Sequence, residues 1–227
     1  MTVTTRRQHR SLDESLAFIK SLNWDAKTVI DIGAAWGTPE LLHAFPDAYH
    51  ILIDPVPIYE DRFKTILKKY KGEYHLLAVS NQPGEMYISV PNNGGEVGSQ
   101  LTSCKFSSGN SLPVRVDTLD GLFVERCLAE PILIKTDCQG YDMHCLMGGK
   151  ELMKKVDLAI CEVNMFHPTG RPDLPDFTET ITSMHGLGFV AYDLVSYQTR
   201  PLDDALGYID IVFASEQSLF RKHHRWA

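Results

Sequence analysis

Aspartates stand at the ends of three apolar runs in this 227-residue chain. Asp31 lies near the end of the first run, Asp54 directly follows the second, and Asp137 ends the third. Runs rich in Ile, Val and Leu without polar alternation predict buried parallel strands. Because ligands bind at the carboxyl ends of such strands, we expect these carboxylates to contact a ligand.

The first of these runs continues into a glycine turn and a helix start, within the stretch TVIDIGAAWGT from Thr28 to Thr38. Gly33 and Gly37 let the backbone approach a ligand, and Thr38 followed by Pro39 predicts an N-cap and a first helical residue. The spacing is D-x-G-x-x-x-G, whereas a dinucleotide fingerprint is G-x-G-x-x-G. An acid at this point suits a cationic group, so the loop favours S-adenosylmethionine over NAD.

The second run places a carboxylate where adenosine would need one. Asp54 stands close to the offset of about 20 residues at which a doubly wound fold binds ribose hydroxyls. A further predicted strand, Tyr74–Val79, leads into a turn at Ser80, where an adenine base would lie against backbone amides. The predicted cofactor contacts are Asp31, Gly33, Ala34, Gly37, Asp54, Val79, Ser80 and Asp137.

A carboxylate or an imidazole near the carboxyl ends of these strands could also act as a general base toward a bound acceptor. Asp137 is the first candidate, with capping of the next helix as its structural alternative, and His167 in a later loop is the second. Glu162 and Asn164 end the following apolar run. With Asp137 they form an alternative hypothesis, an oxygen-ligand site for a divalent metal ion.

Strand and helix patterns alternate along the chain and predict seven sheet strands in one α/β domain over residues 1–227. We expect a Rossmann-like, mostly parallel sheet in a three-layer sandwich. Residues 1–27 are predicted to be an N-terminal helical extension, whose helix starts at the capping box Ser11–Glu14. Residues 91–112, rich in Gly, Ser and Asn, are predicted to be a lid loop.

Charge, cysteine content and hydropathy argue against several classes of protein. The net charge of −7 argues against broad affinity for nucleic-acid backbones, although both ends of the chain are locally basic. The five cysteines include no C-x-x-C pair, so neither a disulfide framework nor a thiolate zinc site is indicated. No run approaches 18 apolar residues and no leader pattern begins the chain, so we expect a soluble cytoplasmic protein.

With these motifs in place, the chain resembles the FkbM family of S-adenosylmethionine-dependent methyltransferases from about Thr28 to Phe213. The family's D-V-G-A-N-x-G, E-P, A-V-S, T-L-D and K-x-D-x-E-G-x-E motifs are similar, in order, to Asp31–Gly37, Asp54–Pro55, Ala78–Ser80, Thr118–Asp120 and Lys135–Asp142. The resemblance implies the class I methyltransferase fold and O-methylation of a sugar, a glycolipid or another small natural product. It sets no oligomeric state.

The chain departs from the family pattern at four site positions. Ala35 replaces an asparagine, Asp54 replaces a glutamate, and Gln139 and Asp142 replace two glutamates. Ala35 and Gln139 support one alternative function, a cofactor-binding module whose site has lost its chemistry. A second alternative is a methyltransferase that acts on RNA, against which the net negative charge argues.

Overall fold

A computed structural model describes residues 11–90, 100–102, 110–167 and 171–223 of the protein. The strands are β1 (Thr28–Ile32), β2 (Tyr49–Ile53), β3 (Gly72–His75), β4 (Ala78–Val79), β5 (Gly84–Val90), β6 (Gln100–Thr102), β7 (Asn110–Asp117), β8 (Ile132–Thr136), β9 (Val156–Asn164), β10 (Phe189–Thr199) and β11 (Leu206–Ser215). The helices are α1 (Leu12–Ser21), α2 (Pro39–Ala44), α3 (Glu60–Ile66), α4 (Leu119–Phe123), α5 (Asp142–Met147), α6 (Lys150–Met153) and α7 (Phe177–Gly186). Across these described ranges, no helix combines the length and apolarity that crossing a bilayer requires.

Seven strands form the main sheet, in the order β10–β11–β9–β8–β1–β2–β3. β1 pairs in parallel with β2 on one side and with β8 on the other, and β11 is antiparallel to both of its neighbours. The chain therefore adds strands in one direction from β1 and in the opposite direction from β8. Such a reversal opens a crevice at the carboxyl ends of the strands, and the predicted Rossmann-like, mostly parallel α/β sheet is confirmed.

The main sheet is buried on both faces, which explains its continuous apolar runs. Val29 and Leu133 pack on one face with Trp24 and the buried residues of α1. Ile30 and Ile134 pack on the other face with residues of α4, α5, α6 and α7. The predicted capping box at Ser11 is present, and α1 belongs to the core rather than standing apart from it.

A second sheet of four strands, in the order β4–β7–β5–β6, was not predicted. The predicted single strand Tyr74–Val79 is wrong, because β3 ends in the main sheet at His75 and β4 pairs with β7 in the second sheet. The predicted lid loop is also interrupted, because Gln100–Thr102 form β6 and Asn110 begins β7. Its remaining segments, 91–99 and 103–109, lie outside the described residues.

Candidate active site

A cavity of about 270 Å³ opens at the carboxyl ends of β1, β2 and β8. Its floor is the loop after β1, with Asp54 on one side and Asp137 on the other. Ile88 and Leu101, from the second sheet, form an apolar part of its wall. The volume lies near the lower end of the range for small-molecule sites, roughly 300–1,000 Å³. The cavity thus lies where the sequence predicts a ligand.

Asp31 lies beneath this loop and is only 2% exposed. Its Oδ2 accepts a hydrogen bond from the amide of Thr38 at 3.2 Å, which joins the strand to the first turn of α2. Thr38 is the N-cap residue of α2 and Pro39 its first residue, as predicted, although the Thr38 side chain makes no capping hydrogen bond within the described residues. Within the described part of the chain, Asp31 Oδ1 is buried without a hydrogen-bond partner. Burial raises the pKa of Asp31, and the nearby Lys135 opposes that shift.

Asp54 is 6% exposed, and its carboxylate accepts hydrogen bonds from two backbone amides. Oδ1 accepts from the amide of Val56 at 2.9 Å, and Oδ2 accepts from the amide of Ala35 at 3.0 Å. Each carboxylate oxygen has a further lone pair, so both remain able to accept from a ligand hydroxyl. Burial raises the pKa of Asp54 to about 6, although these two amides favour its ionised form.

The glycines of the loop are required by the fold itself. Gly33 has a φ of +72°, and a Cβ atom there would lie 2.1 Å from the carbonyl oxygen of Asp137. Gly37 has a φ of +84°, and its Cβ would lie 2.6 Å from Cδ1 of Ile66. The predicted reason, access of the backbone to a ligand, is therefore incomplete, since the chain already occupies the space that a side chain would need.

Asp137 lines the cavity from the end of β8, and its side chain is 44% exposed. Its Oδ2 lies 3.2 Å from Nζ of Lys135, and its Oδ1 lies 3.5 Å from Nε2 of Gln139. Asp137 does not cap the next helix, because Tyr141 is the N-cap residue and Asp142 accepts the amides nearby. The structural alternative for Asp137 is thus not realised.

The adenine end of the predicted site is only partly assembled from the expected residues. Val79 lines the cavity, together with Leu77 and Ala78. The amide of Ser80 donates to the carbonyl of Asp117 at 3.0 Å, so it is already used within the fold. Ser80 is not among the residues that line the cavity.

Three other candidate residues do not line the cavity. Glu162, Asn164 and His167 are not among the described residues that line it. Nδ1 of His167 lies 2.9 Å from the carbonyl oxygen of Leu174. In the described ranges, no group of three or more His, Cys, Asp or Glu side chains is arranged to hold a metal ion. The described residues therefore give no support to the hypothesis that Asp137, Glu162 and Asn164 bind a metal ion.

One aromatic and one cationic residue at or near the cavity were not predicted from the sequence. Tyr141 lines the cavity, and its hydroxyl accepts from Arg171 at 2.9 Å. The same guanidinium donates to the carbonyl of Leu101 at 3.1 Å and pairs with Asp173. Arg171 thereby joins the second sheet to the loop after β9. The signal was available only in three dimensions, because these residues are distant in sequence.

The FkbM methyltransferase domain profile matches residues 31–191, more than half of the chain. The chain belongs to the FkbM methyltransferase family. The matched domain is a methyltransferase domain. No curated protein shows significant sequence similarity to this FkbM methyltransferase.

A solved methyltransferase structure shares its fold at low sequence identity. The N-methyltransferase NodS from Bradyrhizobium japonicum WM9 aligns with a TM-score of 0.50 at 13% identity, over 89% of this chain and 93% of NodS. EvdMO1 aligns with a TM-score of 0.48 at 11% identity, over 90% of this chain. This chain spans only 41% of the length of EvdMO1. At these identities the likeness concerns the fold alone.

Proposed function

We propose that this FkbM methyltransferase transfers a methyl group to a hydroxyl of a sugar, a glycolipid or another small natural product. The observation that carries the proposal is the meeting of Asp54, the β1 loop and Asp137 around one cavity. Asp54 and the loop provide a cofactor side, and Asp137 provides a carboxylate on the other side. A transferase must hold the methyl donor and the acceptor close together in one cavity.

The residues in and beneath the cavity fit S-adenosylmethionine on two counts. Asp31 does not line the cavity, but it lies beneath the β1 loop, and its buried Oδ1 has no hydrogen-bond partner within the described residues; a carboxyl group there suits an ammonium or sulfonium above it. Asp54 offers two oxygens that can each accept one more hydrogen bond, as a ribose diol requires. When bound, the cofactor supplies an electrophilic methyl group on a positively charged sulfur.

On the acceptor side, Asp137 would take part in moving the proton. Its partly exposed carboxylate accepts a hydrogen bond from the incoming hydroxyl and so orients one oxygen lone pair. A carboxylate is a weak base for an alcohol, but proton transfer becomes favourable as the hydroxyl oxygen forms its new bond. The apolar wall made by Ile88 and Leu101 excludes water that would compete as acceptor.

The acceptor class is proposed to be a small molecule or a glycan, and the site of action the cytoplasm. Cys127, Cys138, Cys145 and Cys161 are free, which fits a reducing compartment. The net charge of −7 disfavours a phosphate-rich acceptor such as RNA.

A methyl-transfer screen tests this function directly. The full chain is incubated with S-adenosylmethionine labelled in the methyl group and with separate pools of sugars, glycolipids, amines and RNA. We expect label in hydroxylated small molecules. Label only in amines or RNA would overturn the acceptor class. Tight binding of S-adenosylhomocysteine with no transfer to any pool would instead favour a binding module without chemistry.

A further inference from the structure

Lys135 is a charged residue inside a buried strand. It is the fourth residue of β8, is only 8% exposed and lines the cavity. In the sheet register it lies directly opposite Asp31 of β1, and its Nζ lies 3.2 Å from Oδ2 of Asp137. Lys135 is thus paired in the sheet with the acid beneath the cofactor side, while its ammonium contacts the carboxylate of the acceptor side.

A lysine is costly to bury unless acids surround it. Burial alone lowers the pKa of Lys135, but the carboxylates of Asp31 and Asp137 outweigh burial and raise it overall, with a smaller contribution from Asp210. Asp210 lies on β11, opposite Glu162 of β9. Lys135 therefore stays charged at every pH at which the enzyme would work.

We propose that Lys135 is a positioning residue that couples the two halves of the site. It keeps Asp31 ionised beneath the cofactor, and it fixes the orientation of the Asp137 carboxylate that faces the acceptor. The inference rests on the proposed function, because it assigns each carboxylate to one substrate of a methyl transfer.

Among the described titratable residues near Asp31, Lys135 carries the positive charge that favours its ionisation. On β2 the nearest titratable side chain is His50, which is 1% exposed and whose ring lies 2.9 Å from the carbonyl of Phe45. Burial lowers the pKa of His50, so the ring is neutral at pH 7. Asp54 and Asp137 are acids and oppose the ionisation of Asp31. Without Lys135, Asp31 would lose the positive charge that favours its ionised form.

This role differs from simple packing in its pH dependence. Lys135→Met keeps most of the length of the side chain and removes the charge. We expect its affinity for S-adenosylhomocysteine, relative to wild type at the same pH, to fall at least tenfold at pH 7. The loss should be smaller at pH 9, because a higher pH favours the ionised form of Asp31 in the variant. Turnover at saturating cofactor should stay at least tenfold low at both pH values, because Asp137 has lost its orienting partner.

Two further variants complete the experiment. Lys64→Met removes an exposed lysine that pairs with Glu60 on α3, and it should match wild type throughout. Asp31→Asn and the double variant Asp31→Asn, Lys135→Met should bind S-adenosylhomocysteine within threefold of each other, since Lys135 acts on the cofactor through Asp31. This comparison remains informative even if Lys135→Met alone does not fold.

The outcomes separate the inference from the function on which it rests. An affinity ratio that is the same at pH 7 and pH 9, or a double variant more than tenfold weaker than Asp31→Asn, would overturn the role of Lys135. If wild type itself binds no S-adenosylhomocysteine at either pH, the proposed cofactor site fails instead.

Discussion

Asp54 Oδ2 accepts a hydrogen bond from the amide of Ala35 at 3.0 Å, which ties the end of β2 to the loop after β1. Ala35 has a φ of +42°, in the left-handed region that L-residues other than glycine and asparagine seldom occupy. The carboxylate therefore stabilises a strained turn as well as facing the cavity. Its replacement should affect both the loop and the ligand.

Asp54→Asn should weaken binding of S-adenosylhomocysteine by about 10- to 150-fold. The variant keeps the shape but loses the charge, and hydrogen bonds to a charged group are worth roughly 1.5–3 kcal/mol. Isothermal titration measures the change. Asp47→Asn, at an exposed acid outside the cavity, is the matched control. Affinity within threefold of wild type would place the ribose away from Asp54.

Ala35→Asn should raise the free energy of unfolding by about 0.5–1 kcal/mol. Asparagine adopts the left-handed conformation more readily than alanine, whose cost there is roughly 1–2 kcal/mol. Denaturant unfolding of the two proteins side by side gives the difference. A loss of stability would show that the loop around Ala35 cannot accommodate the asparagine that the family has at this position.

Asp137→Asn should keep cofactor affinity within threefold and lower turnover by roughly 10²–10⁴, the usual contribution of a general base. The amide retains the shape of the carboxylate but does not accept the proton. Asp61→Asn, at a side chain that is 97% exposed, serves as control. Turnover reduced by less than threefold would exclude Asp137 as the base.

Glu162→Gln should flatten the pH dependence of stability. Burial, with the nearby acids Asp142, Asp137 and Asp210, raises the pKa of Glu162 to about 8. A raised folded-state pKa means that stability is greatest below the unfolded pKa, about 4.5, and is lost as pH rises to about 8. This loss approaches about 1.4 kcal/mol per pH unit from one group.

Chemical unfolding at pH 5, 6.5 and 8 tests this prediction. The variant should match or exceed wild type at pH 8, because the amide stays neutral, and it should lose less stability between pH 5 and pH 8. An unchanged slope would mean that Glu162 ionises in the folded protein as readily as in the unfolded chain.

Much of the main sheet could be predicted because its signal is local. β1, β2 and β8 are buried on both faces, so each is a short continuous apolar run bounded by polar residues. The polar residues that end these runs lie at one edge of the sheet, because the carboxyl ends of parallel strands meet there. The D-x-G-x-x-x-G spacing likewise predicts that the loop after β1 binds the cofactor, because that signal is also local.

The second sheet and the acceptor side could not be predicted in this way. β4 has two residues and β6 has three, too few for a periodic pattern, and their partners are distant in sequence. The exclusion of His167 from the cavity likewise depends on the tertiary path of its loop. Gly33 shows the same limit, since the approach of the Asp137 carbonyl that requires it is a contact between two separate βα units.

A crystal structure of the full chain with S-adenosylhomocysteine would show directly whether the cavity binds the cofactor and Asp54 its ribose. We expect adenosine in the cavity between β1 and β2, with both ribose hydroxyls within hydrogen-bond distance, roughly 2.5–3.0 Å, of Asp54. We expect the amino-acid moiety over the Asp31 side of the loop. A ligand bound elsewhere, or a ribose with no contact to Asp54, would contradict this assignment of the cofactor site.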